Sequence, residues 1–287
     1  MKPLTVINPF SYGFFFVTIA LVFLSLPRAA ATHDDLHEQI LAVTKKIKAA
    51  PRNPTLYLKR AELYRLHKEW KNAEKDFDVT EKLMPDLAAV DLGRGKLWFD
   101  ARQFSKSKIA LEKYLSKEPN SFEGIITFAR VCAARKDTER AVKFFSQAIE
   151  LSPKDSAEIY LERAETLVSA NKIDAALSGL DEGIKRFGSL VTLQTAAIDL
   201  EVKRKNLDIA LGRLDKLAAS MPRKESFLFR RGEILLQANR PCEARTALIE
   251  SRAGFDSLPP SRKNVRAVTD QIAQLRKLLA QIPVKNC

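Results

Sequence analysis

Few side chains in the 287-residue chain are of the types that catalysis or metal binding requires. Its imidazole and thiol groups belong to His33, His37, His67, Cys132, Cys242 and Cys287. His33 and His37 lie one helical turn apart beside three acids and could hold a metal, but two histidines near a chain end bind weakly. Acids are also expected at a helix start without any metal. Because no Gly-rich phosphate loop or Gly-x-Ser-x-Gly turn is present, the sequence predicts no catalytic residue, metal site or cofactor.

Two of the cysteines suggest a covalent link near the end of the chain. The last predicted helix runs antiparallel to the helix that begins near Pro241, so the tail that ends in Cys287 can fold back towards Cys242. In an oxidising compartment these two thiols can form a disulfide. The other interpretation is that the two thiols are independent of each other.

The first 31 residues have the composition of an export signal. Between Lys2 and Arg28 lie 25 residues without a charge, followed by Ala29, Ala30 and Ala31. A basic start, an apolar run and small residues before the cut predict a cleaved signal peptide over residues 1–31. An uncleaved anchor facing outward is the alternative, because 25 uncharged residues can span a bilayer of ~30 Å. The lack of an Asn-x-Ser/Thr sequon favours the bacterial periplasm as the destination.

Prolines recur with a period of 34 residues at Pro51, Pro85, Pro119 and Pro153, and Pro222 follows two units later with a slip of one residue. Small residues lie twelve positions and large apolar residues eight positions before four of these prolines: Ala73, Ser107, Ala141 and Ala210, and Phe77, Leu111, Phe145 and Leu214. A proline ends a helix because its ring has no N–H, and a small residue lets two helix backbones approach closely. Each unit is therefore predicted to be a pair of helices of about 13 residues that stacks on the next pair.

This pattern resembles the tetratricopeptide repeat. Residues 122–153 are the clearest copy, with Ile125, Phe128, Ala129, Cys132, Ala141, Phe145, Ala148 and Pro153 in the slots of the motif. Further copies begin at residues 54, 88, 157, 190 and 225. The fourth copy ends on Gly188 rather than proline, and the fifth accommodates Ala197 and Leu200 only if its turn is one residue longer. Because Cys132 fills the slot of a buried aromatic residue, it is predicted to lie in the core.

The predicted fold is all-α, and the resemblance implies a right-handed solenoid of about six helix-turn-helix units. A half-repeat helix in residues 32–53 precedes the solenoid at 54–256, and a capping helix and tail occupy 257–287. Apolar stripes define both end helices: Leu36, Ile40, Val43 and Ile47 in the first, and Val265, Val268, Ile272, Leu275, Leu279 and Ile282 in the last. Polar residues on the outer faces of these helices would keep the ends of the stack soluble.

The resemblance also implies where a ligand binds. In this family the first helix of each pair lines a concave groove, and the mid-helix groove positions here are Glu62, Lys96, Arg130, Glu165, Asp199 and Glu233. Their charges are of mixed sign, which excludes a purely anionic or cationic ligand. The carboxylate clamp of the chaperone-tail-binding subclass is missing, since its places hold Leu58, Glu62, Gly93 and Lys96. We therefore expect a non-catalytic, exported scaffold or adaptor that binds an unidentified peptide or protein segment.

An alternative function rests on the uneven charge of the chain. Residues 223–287 carry 13 bases and 6 acids. Six of these bases form a predicted patch: Arg223, Lys224, Arg230, Arg231, Arg240 and Arg245. Such a patch could tether the protein to an anionic envelope polymer or membrane surface, or it could be only a solvated face. Nucleic acid is not an expected partner for an exported chain.

Overall fold

A computed structural model describes residues 33–151, 157–188 and 190–282, and these residues form helices and the turns between them. The predicted signal segment lies outside the described residues. The helices are α1 (His33–Ala49), α2 (Pro54–Leu66), α3 (Trp70–Leu83), α4 (Ala88–Asp100), α5 (Phe104–Lys117), α6 (Phe122–Ala134), α7 (Thr138–Leu151), α8 (Ala157–Ser169), α9 (Ile173–Phe187), α10 (Val191–Lys203), α11 (Leu207–Ala219), α12 (Glu225–Gln237), α13 (Pro241–Asp256), α14 (Pro260–Lys263) and α15 (Arg266–Gln281).

Six of the helix pairs repeat one arrangement, which runs from α2/α3 to α12/α13. Each helix packs mainly on its partner, and the second helix of a pair then packs on the first helix of the next pair. Helix α1 precedes the first pair, and α14 and α15 follow the last. The prediction of an all-α solenoid of six helix pairs with a helix at each end is confirmed.

The turn inside every pair has a residue of left-handed backbone conformation at the same, central position. These residues are Lys68, Arg102, Lys136, Asn171, Lys205 and Asn239, with φ between 56° and 64°. The next residue donates its amide to a carbonyl five positions back, for example from Glu69 N to Tyr64 O at 2.8 Å. This bond closes the last turn of the first helix and fixes the start of the second.

Because the six turns are equivalent, the fifth unit does not have the longer turn that we expected. The left-handed residues are 34 positions apart except between Lys136 and Asn171, where they are 35 apart. Five residues separate α7 from α8, whereas four separate α3 from α4. The extra residue therefore lies between the third pair (α6/α7) and the fourth pair (α8/α9). In α10 the small-residue slot therefore holds Ile198, which is 2% exposed, and not Ala197.

The spacing of small and large residues sets the approach of the two helices in each pair. The small slots of the second helices are completely buried at Ala73, Ser107, Ala141, Ala176, Ala210 and Ala244. In the first helix of the second pair, a Cβ added to Gly95 would lie 2.5 Å from Cγ of the buried Leu111. The one polar residue among these six slots, Ser107, donates its hydroxyl to the Gly95 carbonyl at 2.6 Å. Close approach therefore requires a small side chain, as the sequence spacing predicted.

Helices outside the six pairs cover the two ends of the solenoid. Helix α1 packs its Ile40, Val43 and Ile47 side chains against α2. At the other end the predicted single helix is broken into α14 and α15, because Val265 is extended with φ −68° and ψ 127°. Val265 is 51% exposed and so does not belong to the apolar stripe, which begins at Val268. Low helix propensity at Asn264 and Val265 accounts for the break.

No helix in the described part of the chain is both long enough and apolar enough to cross a membrane.

Candidate functional site

The six predicted groove residues occupy one equivalent position in six successive first helices. Each lies six residues before the left-handed residue of its turn, so Glu62 and Lys96 correspond to Lys68 and Arg102. We call the surface around these six positions the first-helix face. Its residues come from helices held in register by identical turns, so their mutual positions depend on the stacking of the pairs.

In the first three repeats the charges on this face neutralise one another. Glu62 accepts from Arg65 at 2.9 Å and lies 3.6 Å from the Lys96 ammonium of the next repeat. Lys96 in turn donates to Glu123 of the third repeat at 2.8 Å, and Arg65 pairs with Asp100. Ion pairs of this kind connect one repeat to the next along the face.

The same ladder continues through the later repeats. Arg130 donates two hydrogen bonds to Glu162, both of 2.7 Å, which span the junction between the third and fourth pairs. Asp199 accepts from Arg230 at 2.7 Å, and the same guanidinium reaches Glu233 at 3.2 Å. Burial raises the pKa of Glu233 above its ordinary value. Five of the six groove positions are therefore paired with an opposite charge.

Glu165 differs from the other five positions. Within the described residues it has no ion-pair partner. Its pKa is raised, first by partial burial of the carboxylate and then by the nearby charge of Glu162. The neighbouring repeat places a second acid, Asp199, in the equivalent position. The fourth repeat therefore presents a carboxylate that a cationic ligand group could neutralise.

Apolar side chains flank the charged positions, either four residues before them or three residues after them. The half-buried members on the two sides are Leu58, Leu92, Leu161, Val168, Val202 and Leu236. Residues three or four apart on a helix are neighbours on its surface, so these charged positions have an apolar residue beside them. The sequence analysis missed these two rows, although their spacing from the charged positions was visible in the sequence.

The predicted basic patch is not a free cationic surface. Its pairs join Arg223 to Glu225, Arg230 to Asp199 and Glu233, Arg231 to Asp215, and Arg240 to Asp208 and Glu243. Arg245 makes a long contact of 3.5 Å with the Ile282 carbonyl, and Lys224 is exposed. Several of the acids come from the preceding repeat, which the residue count for 223–287 did not include.

The structure shows the surroundings of two of the three cysteines, Cys132 and Cys242. Cys132 is buried as predicted, and desolvation raises its pKa to about 11. Cys242 is half-buried in the first turn of α13, whereas Cys287 lies outside the described residues, so their pairing stays a prediction. In the part of the chain that the structure covers, no group of three or more His, Cys, Asp or Glu residues is arranged to hold a metal.

Solved structures share the fold at low sequence identity. The C-terminal part of a tetratricopeptide-repeat protein from Cytophaga hutchinsonii is 14% identical, with a TM-score of 0.63, and the match covers 83% of this chain and 95% of that chain. YrrB, a tetratricopeptide-repeat protein, is 20% identical with a TM-score of 0.52, over 69% and 98%. A tetratricopeptide-repeat protein from Parabacteroides merdae is 13% identical with a TM-score of 0.52, over 85% and 93%.

Sequence comparison gives a more local result. No curated protein matches the chain. The family model of the tetratricopeptide repeat matches residues 195–254, which include α11, α12 and most of α10 and α13. The matched pairs have the same turn, small slot and large slot as the four pairs that precede them. The chain therefore contains tetratricopeptide repeats at residues 195–254, and its earlier pairs share their architecture.

Proposed function

We propose that this protein is a non-catalytic scaffold or adaptor that binds a protein segment along its first-helix face, outside the cytoplasm. The observation that carries the proposal is the combination of half-buried apolar rows with a charged row that is already paired across repeats. Such a surface offers apolar anchors and a polar rim, as in other grooves that bind peptides or helices.

The apolar rows allow an approximate estimate of affinity. Full burial of a leucine stabilises by about 1.5–3 kcal/mol, so covering the remaining area of a half-buried one contributes about 1 kcal/mol. Several such contacts on Leu161, Val168 and their neighbours must exceed the entropy lost on association. We expect an affinity in the micromolar range or weaker, which suits an adaptor that exchanges partners.

Two further observations bear on the kind of segment. The structure of YrrB is described as having an unusual peptide-binding site, which supports a peptide ligand for a similar fold. A carboxylate clamp at the second repeat is sterically excluded, because a Cβ at Gly93 would lie 2.4 Å from the buried Phe77 ring. The proposed ligand is therefore an internal segment of a protein rather than a free C-terminus.

The cellular setting rests on residues 1–31 alone, whose basic start, apolar run and alanines have the pattern of a secretory signal. We propose the bacterial periplasm, and an outward-facing anchored form remains the alternative. Fractionation of cells, followed by N-terminal sequencing of the recovered protein, tests both. A mature N-terminus at Thr32 in the periplasmic fraction is the expected result, and full-length protein in the cytoplasm would contradict it.

Site-specific photo-crosslinking in the native cell tests the binding face. A photoreactive residue replaces Val168 or Leu161 on the first-helix face, and in the control it replaces Ile109, which is 69% exposed on the second helix α5. We expect one discrete protein adduct from both face positions and none from the control. Equal adducts from all three positions would contradict the proposal.

The same experiment at low and high salt distinguishes binding at the first-helix face from an electrostatic tether through the basic patch. Apolar contacts persist at high salt, whereas contacts between exposed charges are screened. Capture of an anionic polymer or lipid that is lost on adding salt would favour the tether. The ion pairs of Arg230, Arg231 and Arg240 count against it, because an anionic ligand would have to displace their carboxylate partners.

A further inference from the structure

An open surface cleft of about 560 Å³ is bordered by the turn between α4 and α5 and by the end of α6. Three cations line it, Arg102, Lys106 and Arg135, and its lining contains no acid. We propose that this cleft, the turn-edge cleft, binds a phosphate group carried by a small molecule or a lipid headgroup. The inference is independent of the proposed function, because the cleft lies at the turns between helices and not on the first-helix face.

Each of the three cations is positioned by the fold. Arg102 is the left-handed residue of the α4–α5 turn, with φ 57°. Arg135 caps α6 and donates from Nη1 to Ser105 Oγ at 2.6 Å, which places its guanidinium next to the start of α5. The Lys106 ammonium lies 4.3 Å from the centre of the Trp98 ring. The backbone of Arg102 and the cationic groups of Lys106 and Arg135 therefore have defined locations before any ligand binds.

None of these three cations has an ion-pair partner among the described residues. The charge of Lys106 acts on Glu74 of α3 and partly offsets its raised pKa, but Glu74 makes its ion pair with Arg94, at 3.4 Å. This situation differs from the predicted basic patch, where Arg230, Arg231 and Arg240 are all paired. The positive charge of the cleft is thus available to a ligand.

A comparison with the other turns explains why acids are missing here. The residue after the left-handed position is Glu69 in the first pair and Asp137 in the third, but Gln103 in this one. Three positions after the left-handed residue, the third, fourth and fifth pairs have Glu139, Asp174 and Asp208, whereas the cleft has Ser105. Asp137 pairs with Arg140 of its own repeat, and Asp208 pairs with Arg240 of the next repeat. The substitution of neutral for acidic residues leaves the cations of this turn unpaired.

The polar groups of the cleft are donors suited to a phosphate. Ser105 Oγ accepts a hydrogen bond from Arg135, so its own proton is available for donation to a ligand. Gln103, Phe104, Ser105 and Lys106, the N-cap and first turn of the 14-residue helix α5, line the cleft, and the Gln103 side chain makes no capping bond. The amides of a helix start favour an anion and add to the three cationic side chains. Guanidinium groups bind phosphate oxygens in a bidentate manner, which favours phosphate over a monovalent anion.

Calorimetric titration of the protein with inorganic pyrophosphate tests the site. The test variants are R102N and R135Q, and asparagine at 102 suits a residue with positive φ. The matched control is K205N, which removes the same charge from an exposed left-handed residue with φ 62° in the α10–α11 turn. We expect saturable binding that weakens about tenfold in R102N and in R135Q, equivalent to ~1.4 kcal/mol, and stays unchanged in K205N.

Three outcomes would overturn the proposal. They are the absence of saturable pyrophosphate binding, full affinity in R102N and R135Q, and an equal loss in K205N, which would show non-specific charge attraction. Thermal unfolding of each variant verifies that it is folded.

A second arm uses phosphatidylcholine vesicles with and without phosphatidylglycerol. Sedimentation with the anionic vesicles that pyrophosphate and R102N both abolish identifies a lipid headgroup as the source, whereas binding of pyrophosphate alone identifies a soluble phosphate compound.

Discussion

Replacing Gly95 with alanine tests the argument that close helix approach holds each pair together. The new Cβ would lie 2.5 Å from Leu111 Cγ, a branch carbon of a completely buried side chain that cannot move independently. Overpacking a core typically destabilises by about 1–3 kcal/mol, and this geometry places the change in the upper part of that range. Because alanine has the higher helix propensity, replacing an interior helical glycine with alanine stabilises the helix by about 1 kcal/mol. The expected net loss in the free energy of unfolding is about 1–2 kcal/mol.

The chain provides a matched control at Gly212, in the interior of α11. A Cβ added there meets nothing within 4 Å, so G212A should gain up to about 1 kcal/mol from helix propensity alone. Urea and thermal unfolding followed by far-UV circular dichroism measure both variants. A destabilisation of 1 kcal/mol lowers the melting temperature by about 2–4 °C in a domain of this size. If G95A proved as stable as G212A, close packing at the small slot would not be a determinant of the fold.

Three further predictions concern buried polar and thiol groups. Asp76 is 4% exposed and accepts two hydrogen bonds from the Arg60 guanidinium, so D76N should lower the free energy of unfolding in urea by about 2–3 kcal/mol. The control D78N removes an exposed ion pair with Arg94 and should lower it by less than about 1 kcal/mol. Burial raises the pKa of Cys132 to about 11, so burial of the neutral thiol contributes to stability in full below the unfolded-state pKa. This contribution disappears as the pH rises through about 11. At neutral pH, mass spectrometry should therefore find Cys132 alkylated only after unfolding. Non-reducing peptide mapping should recover Cys242 linked to Cys287 from exported protein, and separately alkylated peptides would contradict that pairing.

The period of the repeat was predictable because local rules generate it. A helix stop, a small slot and a large slot at fixed offsets are all read within one unit, and the structure places Ala73, Phe77 and their equivalents as the spacing required. The register of the fifth unit was wrong because a small residue, Ala197, happened to lie one position from the true slot. The identical turn around Lys205 decides the register and places the larger Ile198 there instead.

The pairing of charges could not be predicted from the sequence because it depends on how consecutive repeats stack. Arg130 meets Glu162 and Arg240 meets Asp208, each across 32 residues of sequence, and no local pattern indicates which acid a given arginine will reach. For the same reason, the count of charges in residues 223–287 did not reveal the pairing of its arginines. The preceding repeat supplies acids such as Asp215 that neutralise arginines counted as free.

These pairings give the two candidate surfaces opposite responses to salt. On the first-helix face most charges are neutralised within the protein, so a segment bound near Val202 is held mainly by apolar contacts that salt does not screen. In the turn-edge cleft, Arg102 and Arg135 are not neutralised by acids, so binding of a phosphate should fall steeply as ionic strength rises. The salt dependence of any captured ligand therefore identifies the surface that holds it. A salt-sensitive adduct from a photoreactive residue at Val202 would contradict this division, because the neighbouring Asp199 is already paired with Arg230.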